Sequence, residues 1–153
     1  MTVLSRFIRI CIHQLGNVLR FFQIAYLRAA GVRIGRGCMI SLRAKIDARR
    51  GRIAIGDNCT ITYGCVILSH DRSAMHINPE DDGEGEVIIG NNVYIGVNSV
   101  VLRNVHIGDN AVIGAGSVVI SDIPTNVVAV GNPARVVKEI ARLKTGQAGP
   151  DPN

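Results

Sequence analysis

VIIGNNVYIGVNSVVLRNVHIGDNAVIGAGSVVI, residues 87–120, carries an aliphatic side chain at every sixth position: Ile89, Ile95, Val101, Ile107, Ile113 and Val119. The next residue is often glycine (Gly90, Gly96, Gly108, Gly114), and the fourth after each aliphatic is small or β-branched: Val93, Ser99, Val105, Ala111, Ser117. A period of six is neither helical nor a simple strand alternation. A chain that turns a corner every six residues, with one apolar side chain pointing in per face, coils into a parallel β-helix with three flat sides, its coils stacked about 4.8 Å apart. Glycine or asparagine at the corners relieves strain where positive φ is needed.

Upstream the same anchors recur at Ile34, Ile40 and Ile46, slip phase by three residues through 48–51, and resume at Ile55, Ile61 and Ile67. The pattern predicts an all-β fold of four to five coils over residues 31–133. Between Ile67 and Ile89 it stops for SHDRSAMHINPEDDGEGE, residues 69–86, an insertion that must project from a corner as a loop. Beyond the Asn132-Pro133 turn, residues 134–144 are expected to form a short closing helix, and the Gly- and Pro-containing tail, 145–153, to be disordered.

Composition fits a narrow prism: 47% of the 153 residues are hydrophobic but only 4% aromatic. Cys38, Cys59 and Cys65 fall at the small inward position of their hexads and, with Cys11, form no zinc-type spacing, so they read as reduced core residues of a reducing compartment. The net charge of +5 is unevenly placed. No acidic residue precedes Asp47, whereas Asp71, Glu80, Asp81, Asp82, Glu84 and Glu86 crowd into the inserted loop. No groove-reading motif or stacking platform accompanies the basic half, which argues against nucleic acid as a partner.

Residues 1–30 read as an amphipathic helix with a polar stripe through Arg6, Arg9, His13, Asn17 and Arg20. His13, Gln14 and Arg20 break every window long enough to span a bilayer, and a secretory signal fits poorly. Two roles stay open. The helix covers an open coil end or a neighbouring subunit, or it lies in the plane of the inner membrane face with its arginines on anionic lipid heads.

The hexads resemble those of the left-handed β-helix acyltransferases. Ser69-His70-Asp71, the loop after it and IGNNVYIG at 89–96 are similar, in that order, to the hexapeptide O-acetyltransferases of the galactoside, maltose and nodulation-factor type, and most of all to those that decorate bacterial capsular and exopolysaccharides. The resemblance implies a cytoplasmic, acetyl-coenzyme A dependent O-acetyltransferase acting on a sugar hydroxyl of a polysaccharide or its lipid-linked precursor. It implies a homotrimer with active sites at the subunit interfaces and direct transfer in a ternary complex. In that family the loop histidine is the general base, a role that passes to His70. The donor would be held along the β-helix by Tyr94, by Ala115, Gly116 and Ser117, by the Asn132-Pro133 turn, and by the cations Arg135 and Lys138 near its phosphates. The chain departs from many members at Tyr94, where tryptophan is common, and at Ile120 and Ser121, where Thr-Lys precedes the aspartate.

The chemistry agrees with this. Acyl transfer to an alcohol needs a base, and a neutral histidine is the best suited side chain. His70 stands where the repeat breaks; His76 is the reserve, His106 reads as a corner or surface residue, and His13 belongs to the helix stripe. Asp71, Asp82 and Glu84 are candidates to orient the base, with solvated loop residues as the plainer reading of each. Alternatives are N-acetyl transfer to an amino-sugar nucleotide, acetylation of an antibiotic hydroxyl, and a non-catalytic scaffold, in which His70 would be replaceable. Carbonic anhydrases of the same fold hold zinc with three histidines, but residues 96–106 supply only His106, so no metal is expected.

Overall fold

The computed structural model describes residues 3–47 and 49–140, with side chains from residue 14 onward. Helix α1 (Val3–Ala29) precedes β1 (Arg33–Ile34), β2 (Met39–Ile40), β3 (Lys45–Asp47), β4 (Arg52–Ile55), β5 (Thr60–Ile61) and β6 (Val66–Leu68). A short helix, α2 (Ala74–Ile77), lies in the insertion. Then follow β7 (Glu86–Ile89), β8 (Tyr94–Ile95), β9 (Val100–Val101), β10 (Val105–Ile107), β11 (Val112–Ile113), β12 (Val118–Val119), β13 (Val127–Val130) and β14 (Arg135–Glu139).

The chain visits three sheets in turn. Face one is β1-β4-β7-β10, face two is β14-β13-β11-β8-β5-β2, and face three is β12-β9-β6-β3. All pairings are parallel except β13 with β14. The hexad anchors stack in register: Ile34 on Ile55 on Ile89 on Ile107, Ile40 on Ile61 on Ile95 on Ile113, and Ile46 on Ile67 on Val101 on Val119. All but the half-buried Ile46 are buried, so each coil closes the core of the next.

The small inward residues add polar stitching between coils. Cys38, Cys59 and Cys65 direct their thiols to the carbonyls of Gly56, Gly90 and Gly96 at 3.0, 3.0 and 3.1 Å, and Ser99 does the same to Gly114 at 3.0 Å. All three cysteines are free, and burial pushes the Cys59 thiol up to about 11. They are interior hydrogen-bond donors.

The corners divide their labour. Positive φ falls three residues after the anchor, to asparagine as at Asn98 (φ +56°) or glycine as at Gly64 (φ +70°), whereas the glycines directly after the anchors serve close approach: a Cβ on Gly96 would sit 2.6 Å from the amide nitrogen of Ala115 in the next coil.

Two features concern the ends, and the first departs from the sequence reading. Residues 135–139 form strand β14, not the start of a helix over 134–144. The β-branched Val136 and Val137 favour an extended chain, and folding back pairs an edge of β13 that would otherwise be left open. The remainder of that predicted helix and the tail 145–153 lie outside the described residues. At the other end, the last turns of α1 cover the first coil. Leu27 is buried, Gln23 donates to the Ser41 carbonyl at 3.3 Å, and the Arg28 guanidinium donates to the carbonyls of Ile34 and Gly35 at 2.9 Å each.

Candidate active site

Ser69 ends the inward pattern of the second coil fully buried, its hydroxyl donating to the Asp47 carbonyl at 3.0 Å and also to that of Arg50. This pins the start of the insertion to the phase slip of the first coil. His70 follows, half-buried. Its backbone forms an antiparallel bridge with Glu84, and the Asp71 amide donates to the Gly83 carbonyl at 2.7 Å, so the loop closes on itself at the neck. Arg103, from the third coil, clamps that loop: its guanidinium donates to both oxygens of Asp81 at 3.0 and 2.5 Å and to the Glu84 carbonyl at 2.9 Å.

The imidazole has two different sides. Nδ1 is buried and makes no hydrogen bond among the described residues, whereas Nε2 lies 4.0 Å from Oδ2 of Asp47. Asp47 pairs in register with Leu68, and side chains alternate along a strand, so its carboxylate stands on the outer surface of face three next to the start of the loop. Arg49 donates to Oδ1 through Nε at 2.9 Å and to Oδ2 through Nη2 at 2.7 Å. These bonds, with smaller help from the nearby His70 and against partial burial, hold the Asp47 carboxyl at about 2. It is a fixed anion.

Of the three carboxylates named from sequence, two are engaged elsewhere and none is within ion-pair distance of His70. Asp71 accepts from the Ser73 amide at 2.8 Å, and the Ser73 side chain, with that amide second, lowers its pKa; Asp82 accepts from the Glu84 amide at 2.8 Å. Glu84 meets His70 through its backbone. Among the described residues, the carboxylate within ion-pair distance of His70 is Asp47. Sequence reasoning passed over it, although it is the only acidic residue before Asp57 and directly precedes the phase slip. His76 and His106 are exposed, on α2 and β10; the His106 amide donates to Asp122 at 2.7 Å, and neither imidazole lies within ion-pair distance of a carboxylate among the described residues.

The residues expected to hold a donor occupy another part of the surface. Tyr94, Val112, Val128 and Lys138 lie side by side in register across face two, forming a strip along the β-helix axis with an aromatic ring at one end and an ammonium group at the other. Ala115 and Gly116 are exposed at the corner between faces two and three, and no atom comes within 4 Å of the place a Gly116 Cβ would occupy. A ligand can therefore reach that backbone, which fits a long, thin donor. Ser117 differs from its neighbours: it is buried, its hydroxyl donating to the Gly114 carbonyl at 2.7 Å and accepting from the Gly131 amide at 3.1 Å. Asn132 and Pro133 form the exposed turn before Ala134, and the exposed Arg135 donates to the Ala134 carbonyl at 2.9 Å.

Within one chain the base and the donor corner are apart. Face three separates them, roughly 15–20 Å of strand and corner at about 3.3 Å per residue. Between α1 and the first two coils of face three lies a groove of about 690 Å³, lined in part by Tyr26, Lys45, Asp47, Arg49 and Leu68.

Two family models match the chain: a hexapeptide repeat of succinyl-transferase over residues 31–69, and a bacterial transferase hexapeptide of six repeats over 86–121. The inserted loop falls between them. CapG of Staphylococcus aureus is 43% identical over 124 residues, covering 78% of this chain and 72% of that protein. A galactoside acetyltransferase in complex with coenzyme A superposes with a TM-score of 0.67 at 38% identity, covering 72% of this chain and 56% of the other. The polySia-specific acetyltransferase NeuO superposes with a TM-score of 0.65 at 28% identity, covering 76% and 57%. The chain thus spans less than two thirds of the length of these two enzymes.

Proposed function

Because the chain belongs to the hexapeptide-repeat acetyltransferase family, we propose that it moves an acetyl group from acetyl-coenzyme A to a sugar hydroxyl of a bacterial polysaccharide or its precursor, with His70 as general base. The observation that carries this reading is His70 itself, held at the loop neck with Nε2 turned towards a fixed carboxylate.

Acetyl-coenzyme A supplies the acetyl group as a thioester with a thiolate leaving group. With Nδ1 buried, Nε2 takes the proton of the attacking hydroxyl. Asp47, at 4.0 Å, is too distant to accept a hydrogen bond that would keep the proton on Nε2 of the neutral ring, yet close enough to stabilise the imidazolium that forms. The Tyr94–Lys138 strip and the open Ala115-Gly116 corner bind the donor, with Arg135 and Lys138 meeting its phosphates. Since one chain keeps this corner apart from His70, the complete site forms between neighbouring subunits of a homotrimer. No acyl-enzyme is needed, and the buried Cys59 thiol, at about 11, is no nucleophile for one.

No helix among the described residues is long and apolar enough to cross a membrane. Helix α1 nevertheless exposes Leu15, Phe21, Phe22 and Tyr26, which supports peripheral contact with the inner membrane face and a lipid-linked acceptor. Sedimentation with anionic vesicles, with and without residues 1–30, decides between this and packing inside the trimer. For the reaction, release of coenzyme A is followed over a panel of sugars and glycan precursors. The His70→Ala trimer should lose about 10² to 10⁴ in kcat with the acceptor found, and full retention of turnover overturns the assignment.

A further inference from the structure

We propose that the groove between α1 and face three is the acceptor subsite and that it selects an anionic saccharide, a sugar unit bearing a phosphate or carboxylate, with Lys45 as the specificity-determining cation. This rests on the acyl-transfer role of His70. The groove shares Asp47 with the catalytic pair, so a molecule lying in it reaches the carboxylate whose Oδ2 stands 4.0 Å from Nε2. Its position along the axis suits an acceptor: the groove is built from the first two coils, the donor strip from the third coil onward, and His70 stands between.

The lining has the character of a saccharide site. Tyr26 presents a ring that is 72% exposed, a flat face of the kind on which a sugar packs, opposite Leu68 of face three. Lys45 projects from β3 on the same outer surface as Asp47, two residues away, and has no acidic partner among the described residues. Arg49, although bonded to Asp47, keeps 80% of its side chain exposed at the groove edge. The wider field agrees. Asp47 is the only acid before Asp57, and the same stretch of sequence carries Arg28, Arg33, Arg36, Arg43, Arg50 and Arg52. With Arg49 paired to Asp47, Lys45 is the uncompensated charge of the groove lining, and such a cation attracts an anionic ligand and orients it. With the anion on Lys45, the sugar ring spans the gap to His70 and presents a hydroxyl there.

Saturation-transfer NMR on the full chain, titrated separately with glucose 1-phosphate, glucuronic acid and glucose, tests this without turnover. The two anionic sugars should bind about tenfold more tightly than glucose, and the stronger of the two identifies phosphate or carboxylate as the preferred group. Lys45→Gln should abolish that preference while leaving glucose and coenzyme A binding unchanged, and Lys45→Arg should restore it. Equal binding of the three sugars, no binding of any, or an unaffected Lys45→Gln protein overturns the proposal. The same titration on His70→Ala keeps the two readings distinct: loss of turnover with retained anion preference supports both, whereas retained turnover removes the base without touching the subsite.

Discussion

Oδ2 of Asp47 and Nε2 of His70 stand 4.0 Å apart on successive coils, and Arg49 fixes the carboxylate through both of its oxygens. The pair is assembled by two irregularities of the repeat: the phase slip that follows Asp47 and the insertion that begins at Ser69. Ser69 ties them together through its bonds to the Asp47 and Arg50 carbonyls.

Asp47→Asn should lower kcat roughly tenfold, about 1.4 kcal/mol of lost imidazolium stabilisation, with KM for acetyl-coenzyme A unchanged. Steady-state kinetics in both substrates checks this. A proportionate rise in the donor KM would instead place Asp47 in donor binding.

The same carboxylate has a signature in stability. Its pKa is depressed from 3.8 to about 2, chiefly by Arg49, so the folded state binds this proton less readily than the unfolded chain. Its stabilising contribution is therefore complete above pH 3.8 and is lost as pH falls through about 2. Thermal midpoints of wild type and Asp47→Asn should differ near neutrality and converge across that acid window.

Arg103 acts through the loop as a positioning residue. Arg103→Ala releases Asp81 and the Glu84 carbonyl and should open residues 71–82 to proteolysis and amide exchange. kcat should fall while coenzyme A affinity holds, with Arg103→Lys recovering part of the rate. Unchanged protection of the loop in Arg103→Ala would remove this role.

Gly96→Ala drives a Cβ to 2.6 Å from the Ala115 amide nitrogen, and since backbone cannot yield as a side chain does, it should cost about 1–3 kcal/mol. Because Ala115 borders the donor corner, the acetyl-coenzyme A KM should rise too. Asn98→Gly, at φ +56°, should be tolerated within a few tenths of a kcal/mol. Chemical denaturation of the two variants side by side reads the difference.

Cys59 should resist alkylation in the native protein and react on unfolding, since burial holds its thiol at about 11. As a group whose pKa is raised on folding, it makes stability decline from pH 9.0 towards that value, and Cys59→Val, the residue type at Val93 of the next coil, should flatten that decline. Mass spectrometry of labelled protein and thermal midpoints at alkaline pH check the two effects.

The hexads by themselves determined the three faces, the stacking of Ile40, Ile61, Ile95 and Ile113, and the exit of the chain at residue 69, because a period of six with one inward side chain has few other ways to bury itself. The same local pattern also singled out His70, which stands where the period fails. Tertiary structure alone decided which carboxylate faces that histidine. Asp71 and Asp82, near in sequence, spend their oxygens on loop amides, whereas Asp47 arrives from another coil through strand register. The fate of residues 135–139 was settled only in part by their own sequence: Val136 and Val137 favour an extended chain, but the partner it takes is the unpaired edge of β13. Register and edge pairing are relations between distant segments. No window of the chain carries them, and they exist only once the coils are stacked.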